Sequence, residues 1–515
     1  METLQSFVQG EWRAGTGAPT LLHNPTTEEP IAQVKSGGFD AAAVLEHARE
    51  VGGPALRALT FAERAALLKG LAAAIHKHRD ELIELSIRNA GTTRGDAKFD
   101  IDGATGTLAA YAQLGEEIGA RRFLVDGDGM QLGRSPRFWG QHVLVPRHGA
   151  AVHVNAFNFP AWNMLEKMAC AILAGAPVIE KPGTPTAMVA WRVAKIIVES
   201  GILPKGAYQF IAGSLGDLLD RMGAQDSLAF TGSSVTAAKL RANANLIRHN
   251  CRINVEADSL NAAILGADVE AGSETFNLFV NNVAIDMTQK AGQKCTAVRR
   301  IFVPKDRIGE VRDALVEALA RVKVGDPADN DVRMGPLASA SQLSDVRAGI
   351  ERLAKTAAAA CGGSKPPRDR GWFAAPTLFI ANDPRAGAVH ADEVFGPVAT
   401  CLPTSGDPNE MSALVGLGGG GLVASLYSND PAWSERVISW HRPLDGARVG
   451  GERQDGRVVA RAGDGPAGAH PRRPRARRRR RRARRATRPR LLFTTGRDPG
   501  IQGAGRSELR PRIPT

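Results

Sequence analysis

Cys295 is the residue whose surroundings best suit covalent chemistry. It follows the small-residue segment Lys290–Lys294, which comes directly after a helix-like run, Asn282–Gln289. A thiol attacks only as its thiolate, and a nearby base, a cation or backbone amides can favour that form. An inert buried cysteine fits the same spacing, and it is the better interpretation of Cys170 in its apolar run. The residues alone leave both interpretations of Cys295 open.

Glu256 ends an apolar, strand-like stretch, Arg252–Val255. A carboxylate at the carboxyl edge of a parallel sheet faces the cleft in which α/β proteins bind ligands. From there it could deprotonate a thiol or a water molecule. A solvated charge at the end of a strand fits the pattern equally well.

Two further segments offer hydrogen-bond donors where a strand gives way to a helix. Asn158, in Asn155–Pro160, could donate its amide to a developing oxyanion, although asparagine is also common in turns before proline. The backbone amides of Phe230–Ser234 could hold a pyrophosphate at a helix start. This segment lacks the glycine spacing of a standard dinucleotide fingerprint.

The elements around these residues alternate between short apolar strands and helices. Residues 60–90 predict one long amphipathic helix with a capping box between Thr60 and Glu63. From about residue 150 the alternation predicts βαβ units and a parallel sheet, and a second alternating block runs from about 253 to 430. The polar, strand-like segment Met130–Pro146 predicts an arm that leaves the first domain.

Length and composition describe a globular protein. The 515 residues suggest about three folding units, and the 43% hydrophobic and 23% charged shares are ordinary. No apolar run reaches the length of a membrane span, and the first residues lack a secretory leader. The five cysteines are scattered and odd in number, which fits a reducing compartment. We therefore expect a cytoplasmic protein.

The net charge of +13 comes from one end of the chain. Residues 441–515 hold 22 Arg, no Lys and six acidic residues, a net of +16, which leaves −3 for residues 1–440. The segment includes six consecutive arginines, Arg477–Arg482, and its composition predicts disorder. It fits a basic arm that binds nucleic acid or anionic membrane, a solvated linker, or a GC-rich gene translated out of frame. We favour the last because lysine is absent.

Six motifs occur along residues 1 to about 440: Asn155–Asn163, Ile179–Pro182, Phe230–Ser233, Val255–Asp258, Gly292–Thr296 and Glu393–Val398. Together, in this order and at about this spacing, they resemble the aldehyde dehydrogenase superfamily. The resemblance implies an α/β fold with a Rossmann-like cofactor domain (1–129 and 147–252), an oligomerisation arm (130–146) and an α/β catalytic domain (253–440).

The resemblance also implies a mechanism. The Cys295 thiolate would attack an aldehyde, Asn158 and the Cys295 amide would hold the oxyanion, and Glu256 would activate water. Lys181 would hold the adenosine ribose, and Glu393 and Phe395 would contact the nicotinamide riboside. The full set of implied cofactor residues is Lys181, Thr184, Phe230, Thr231, Gly232, Ser233, Glu393 and Phe395. No metal is expected.

The family resemblance further suggests NADP+, with NAD+ as the alternative. In NAD-preferring members a glutamate stands three residues after the lysine that matches Lys181, where this chain has Thr184. A carboxylate there would repel a 2′-phosphate, whereas threonine is neutral and can donate a hydrogen bond.

Longer shared stretches suggest a substrate class. Residues 153–160, 256–261 and 288–300 resemble the bacterial CoA-linked semialdehyde dehydrogenases of aerobic phenylacetate and benzoate breakdown. The implied substrate is 3-oxo-5,6-dehydrosuberyl-CoA or 3,4-dehydroadipyl-CoA semialdehyde, and the implied assembly is a homodimer or tetramer. The alternatives are an aldehyde dehydrogenase with another substrate, or a non-enzymatic nucleic-acid-binding protein that acts through the Arg-rich segment.

Overall fold

The computed structural model describes residues 1–440 and two short strands, 457–461 and 493–495. The strands are β1 (Glu2–Leu4), β2 (Ser6–Val8), β3 (Glu11–Arg13), β4 (Pro19–His23), β5 (Pro30–Lys35), β6 (Leu124–Gln131), β7 (Trp139–Pro146), β8 (Ala151–Val154), β9 (Val178–Lys181), β10 (Tyr208–Phe210), β11 (Ser227–Gly232), β12 (Arg252–Ala257), β13 (Asn261–Leu265), β14 (Val298–Pro304), β15 (Ala357–Cys361), β16 (Thr377–Ala381), β17 (Val398–Thr404), β18 (Val423–Tyr427), β19 (Arg457–Arg461) and β20 (Phe493–Thr495). The α-helices are α1 (Ala41–His47), α2 (Gly53–Arg57), α3 (Phe61–His76), α4 (Arg79–Ala90), α5 (Arg94–Ile118), α6 (Trp162–Ala174), α7 (Ala187–Ser200), α8 (Ser234–Arg241), α9 (Ala244–Arg248), α10 (Glu274–Thr288), α11 (Ile308–Ala320), α12 (Ala340–Leu353), α13 (Gly387–Ala391), α14 (Pro408–Gly416) and α15 (Pro431–Trp440).

The first large sheet has the order β12-β11-β8-β9-β10-β2-β3, with β12 to β10 parallel. The alternation after residue 150 produces this sheet, because each apolar strand is followed by a helix that returns the chain to the same edge. Helices α3, α5, α6 and α7 bury their apolar faces in one core with the sheet. The carboxyl ends of its strands therefore meet at one edge.

The second large sheet has the order β15-β16-β17-β14-β13-β18-β19 and is parallel except for β15. The predicted strands at residues 301–303 and 398–403 lie in its centre as β14 and β17. One face of the sheet packs against α10 and α11, and the other packs against α12 and α14. The predicted α/β architecture is confirmed.

Three boundaries differ from the sequence expectations. The helix predicted over 60–90 is two helices, α3 and α4, because the chain turns at Lys77 and His78. The capping box of Thr60 and Glu63 is present as predicted. The predicted boundary between the cofactor domain and the catalytic domain, after residue 252, lies within β12. This strand pairs with β11 at the edge of the first sheet.

The predicted arm is an antiparallel hairpin of β6 and β7, and it begins at Leu124 rather than at Met130. The arginine-rich segment was expected to hold no regular structure, but β19 pairs with β18 and β20 pairs with β7. The prediction of disorder for the rest of 441–515, Arg477–Arg482 included, lies outside the described residues.

Candidate active site

The turn that carries Cys295 is a left-handed kink between α10 and β14. Lys290 and Ala291 have φ values of 55° and 53°, and Gly292 has a φ of 70°. Only glycine fits at Gly292, since an added Cβ would lie 2.1 Å from the carbonyl oxygen of Gly396. The turn therefore rests against the segment that contains Glu393 and Phe395.

The backbone on the other side of Cys295 is fixed from β13. The Asn261 side-chain amide donates to the carbonyl oxygens of Cys295 and Ala297, both at 2.8 Å. The position of the thiol is thus set by two elements, the kink before it and an asparagine on the neighbouring strand. Such support from surrounding groups is what holds a reactive side chain in a defined geometry.

The Cys295 thiol lies in surroundings that favour its protonated form. Burial raises its pKa to about 12, and the carboxylates of Glu256, Glu166 and Glu393 act in the same direction. Both causes disfavour a thiolate, the first by removing water and the second by charge repulsion. The three carboxylates are therefore close enough to Cys295 to affect its ionisation.

Glu256 lies near the carboxyl end of β12, in register with Thr231 of β11. Glu166 is a neighbour that the sequence interpretation missed. It lies on α6, its pKa is raised by burial, and the Glu256 carboxylate contributes to that shift. Its signal in the sequence was the charged pair Glu166-Lys167 within an otherwise apolar helix. Lys167 donates to the Asn163 carbonyl at 3.1 Å and lies 3.4 Å from Glu166.

Asn158 is buried at the end of the loop that follows β8. Its Oδ1 accepts a hydrogen bond from Asn163 Nδ2 at 3.2 Å, which leaves the Asn158 NH2 group available as a donor. Asn158 lines a small pocket together with Lys290 and Gln293 from the Cys295 turn. The structure thus brings the predicted oxyanion donor and the predicted nucleophile segment to one pocket.

Lys181 and Thr184 lie together at the carboxyl end of β9. Lys181 Nζ donates to the Pro182 carbonyl at 2.8 Å and lies 3.5 Å from Thr184 Oγ1. Burial lowers the pKa of Lys181. The loop beside them is anchored, because Thr186 Oγ1 donates to the Phe157 carbonyl at 2.7 Å.

The Phe230–Ser233 segment runs from the end of β11 into α8. Phe230 and Thr231 are buried, and Ser233 caps α8 by accepting from the Thr236 amide. One amide at this helix start is already engaged, since Ser234 N donates to Asp258 Oδ1 at 3.1 Å. A bound phosphate would compete with that carboxylate for the amide.

Glu393 and Phe395 lie next to the Cys295 turn, in the segment between α13 and β17. Glu393 Oε2 accepts from the Ser259 amide at 3.0 Å, and burial raises the pKa of Glu393. The Phe395 ring packs edge-on against Phe157, with centroids 5.9 Å apart. Phe395 therefore bridges the two domains beside the Asn158 loop.

The arrangement fits a nicotinamide dinucleotide. Within the described residues, buried Thr231 Oγ1 has no hydrogen-bond partner, and Glu393 Oε1 has only an ion-pair contact with Arg299 NH2 at 3.5 Å. Buried polar atoms are rarely left unsatisfied, and ribose hydroxyls are suitable partners for both oxygens. All eight predicted cofactor residues lie at or just after the carboxyl ends of β9 and β11, or in the segment before β17 that contains Glu393 and Phe395.

Comparison with known proteins decides the family. A model of the aldehyde dehydrogenase family matches residues 12–442. The chain belongs to the aldehyde dehydrogenase family. It is 43% identical over 450 residues to the 3,4-dehydroadipyl-CoA semialdehyde dehydrogenase of Aromatoleum evansii, which covers 86% of this chain and 87% of that protein. It is 29% identical over 460 residues to the geranial dehydrogenase of Castellaniella defragrans, which covers 86% and 90%.

Solved structures agree with this family membership. Betaine aldehyde dehydrogenase from Staphylococcus aureus in complex with NAD+ aligns with a TM-score of 0.76 at 26% identity, covering 85% of each chain. The NAD+ complex of an aldehyde dehydrogenase from Bacillus cereus aligns with a TM-score of 0.74 at 25% identity, covering 85% of this chain and 87% of that chain. The predicted aldehyde dehydrogenase fold is confirmed. Of the helices in the described part of the chain, none is both long and apolar enough to cross a bilayer.

Proposed function

We propose that this aldehyde dehydrogenase oxidises an acyl-CoA semialdehyde to the carboxylic acid with NADP+. The observation that supports the chemistry is the effect of the Glu256 carboxylate on the ionisation of Cys295, together with the small pocket that Asn158 lines with Lys290 and Gln293 of the Cys295 turn. The substrate class is supported by the 43% identity to a dehydrogenase of 3,4-dehydroadipyl-CoA semialdehyde. The phenylacetate-derived semialdehyde named above is the second candidate substrate.

The first half of the reaction forms a covalent bond to Cys295. The Cys295 thiol releases its proton to solvent, and the thiolate adds to the aldehyde carbon to give a thiohemiacetal. Asn158 and the Cys295 amide donate hydrogen bonds to the oxyanion as its charge develops. When bound, the nicotinamide cofactor supplies the hydride acceptor, and loss of hydride leaves a thioester on Cys295.

The second half releases the acid. Glu256 removes a proton from water, the hydroxide adds to the thioester carbonyl, and the carbon–sulfur bond breaks to return Cys295. Lys181 and Thr184 would hold the adenosine ribose, and Glu393 would accept from the nicotinamide ribose. Phe395 would then pack beside the nicotinamide ring. The same oxyanion donors serve both halves.

Two variants test the mechanism. Cys295→Ser should abolish NAD(P)H production, because a serine hydroxyl is far less ionised than a thiol near neutral pH. Glu256→Gln should give a single-turnover burst of NAD(P)H followed by a stalled steady state, since acylation precedes the hydrolytic step. Cys170→Ser, in α6, is the matched control and should retain activity. Wild-type rates in Cys295→Ser, or an unchanged steady state in Glu256→Gln, would overturn the assignments.

The substrate class needs a separate comparison. We expect kcat/KM for 3,4-dehydroadipyl-CoA semialdehyde to exceed that for the corresponding CoA-free semialdehyde, because the CoA part supplies binding energy remote from the reacting carbon. Equal values for the two aldehydes would remove the CoA ester from the proposed substrate while leaving the cysteine mechanism in place.

A further inference from the structure

We propose that Arg299 is a positioning residue that clamps the nucleophile turn to the segment carrying Glu393 and Phe395. The inference deepens the proposed function, because it assigns a role in arranging thiol and cofactor to a residue outside the predicted site. Arg299 lies on β14, four residues after Cys295, and its side chain is buried.

The guanidinium of Arg299 reaches both the Cys295 turn and the segment that carries Glu393 and Phe395. Its NH1 donates to the Gly396 carbonyl at 2.7 Å, and its NH2 donates to the Gly292 carbonyl at 2.7 Å. Gly292 belongs to the left-handed kink before Cys295, and Gly396 follows Phe395 directly. A single side chain therefore joins the two segments where they are already in close contact, since a Cβ added at Gly292 would lie 2.1 Å from the Gly396 carbonyl oxygen.

The same guanidinium also faces the predicted cofactor residues. Its NH2 lies 3.5 Å from Glu393 Oε1, and its centre lies 5.6 Å from the Phe395 ring centroid. Burial raises the pKa of Glu393, whereas the positive charge of Arg299 acts against that rise. An ionised Glu393 can only accept hydrogen bonds, which is what a ribose hydroxyl donor needs.

The contacts explain why arginine is needed at this position. A guanidinium presents a planar fork with five donors, so it can bind two carbonyls and face a carboxylate at once. A lysine ammonium at the same place would keep the charge but could not span both carbonyls in that geometry. Arg299→Lys therefore tests the two hydrogen bonds to carbonyls separately from the positive charge.

The adjacent Arg300 provides a matched control. It is equally buried, but it points to the other side of β14 and binds the carbonyls of Leu260 and Val415 and the ring of His390. It makes no contact with the Cys295 turn or with Glu393. Arg300→Lys should therefore lower thermal stability without changing cofactor affinity.

The experiment compares Arg299→Met, Arg299→Lys and Arg300→Lys in the full chain. The first readout is the Kd for NADP+ and for NAD+ by calorimetry, well below the melting temperature of each variant. The second is the rate at which iodoacetamide alkylates Cys295, followed by mass spectrometry. The third is the separate effect on kcat and on the KM for cofactor. The first two need no aldehyde, so they stand even if the proposed substrate is wrong.

We expect Arg299→Met to raise the Kd and the KM for cofactor about tenfold or more, as loss of a charge-assisted hydrogen-bonding group does. It should also change the alkylation rate of Cys295 and lower kcat. Arg299→Lys should recover part of the affinity but not the alkylation rate. Wild-type affinity and alkylation in Arg299→Met, or equal losses of affinity in Arg300→Lys, would overturn the proposal.

Discussion

At the scale of single residues, Cys295 presents the main chemical problem of the site, since its surroundings oppose the form that must react. A pKa of about 12 means that the thiol keeps its proton throughout the neutral range, and the charge of Glu256 contributes to this. The Cys295 alkylation rate should therefore rise steadily with pH between about 7 and 10 without reaching a plateau. Glu256→Gln should be alkylated faster at every pH, because removing the negative charge lowers the thiol pKa.

The measurement is mass spectrometry of the Cys295 peptide after timed exposure to iodoacetamide, without cofactor. Glu117→Gln, an exposed carboxylate on α5, is the control and should match the wild type. A plateau below pH 9, or slower alkylation in Glu256→Gln, would contradict the electrostatic description.

Thr184 carries the prediction on cofactor choice. It lies 3.5 Å from Lys181 Nζ at the end of β9, so a carboxylate placed there would face a ribose 2′-phosphate and would also pair with the lysine. Thr184→Glu should shift the ratio of kcat/KM for NAD+ over NADP+ by about tenfold or more toward NAD+. Thr184→Gln has the same length without the charge and should shift the ratio far less. A higher kcat/KM of the wild type for NAD+ than for NADP+ would contradict the prediction.

Motif spacing was enough to propose residues that would act through their own chemistry. Cys295, Glu256 and Asn158 lie in short segments where the residue type and its neighbours already limit the options. Glu166 and Arg299 could not be found that way. The charged pair Glu166-Lys167 in the apolar helix α6 was the one local signal of the first, and the relation of both residues to the site depends on how α6 and β14 pack in the fold.

At the scale of elements, a buried polar network joins β8 and β9 beneath the predicted cofactor residues. Glu180 accepts from His153 Nδ1 at 2.7 Å through one oxygen and from Asn155 Nδ2 at 2.8 Å through the other. All three residues are buried. The network ties the strand end that carries Lys181 to the start of the loop that carries Asn158.

Breaking this network should destabilise the fold. Glu180→Gln replaces one accepting oxygen with an NH2 donor, which would face the N–H of His153 or Asn155. We expect this change to lower the free energy of unfolding by about 3 kcal/mol. Glu199→Gln removes an exposed partner of Arg192 and should change it by less than about 1 kcal/mol. Urea unfolding followed by circular dichroism measures both. A loss in Glu180→Gln no larger than in the control would show that the network contributes little.

The elements themselves were largely predictable, because strand–helix alternation and apolar periodicity are local. The break between α3 and α4 was not, since the apolar positions Leu68, Leu71, Ile75 and Leu82 continue across it. Both α3 and α4 pack against α5 in one core, so buried apolar residues recur on both sides of the turn and the apolar pattern gives no sign of it. Tertiary packing decides such a break.

At the scale of the whole molecule, the β6–β7 hairpin exposes a set of apolar side chains in the described part of the chain. Its exposed apolar side chains are each more than half accessible: Val125, Met130, Leu132, Phe138 and Trp139. The edge of β6 is also unpaired in the described part of the chain, whereas β7 pairs with β20. An apolar patch beside a free strand edge is a site of association.

The chain should therefore self-associate through this hairpin. Size-exclusion chromatography with light scattering should give masses above 54.6 kDa. The double variant Val125→Lys/Met130→Lys should shift the protein toward monomer, because charges on an edge strand oppose pairing. Ile247→Lys alters an exposed apolar residue of α9 and is the control, which should leave the distribution unchanged.

The form of the association tests the interpretation of residues 441–515. In the family that the sequence resembles, the arm pairs with the C-terminal strand of a catalytic domain. If the C-terminal segment is translated out of frame, other residues replace that strand. The pairing of β19 with β18 covers part of the edge of the second sheet that the loss of such a strand would leave free. The five apolar residues of the hairpin remain exposed in the described part of the chain, so we expect polydisperse aggregates and poor recovery rather than a closed dimer. A monodisperse, active dimer of this 515-residue chain would contradict the out-of-frame interpretation.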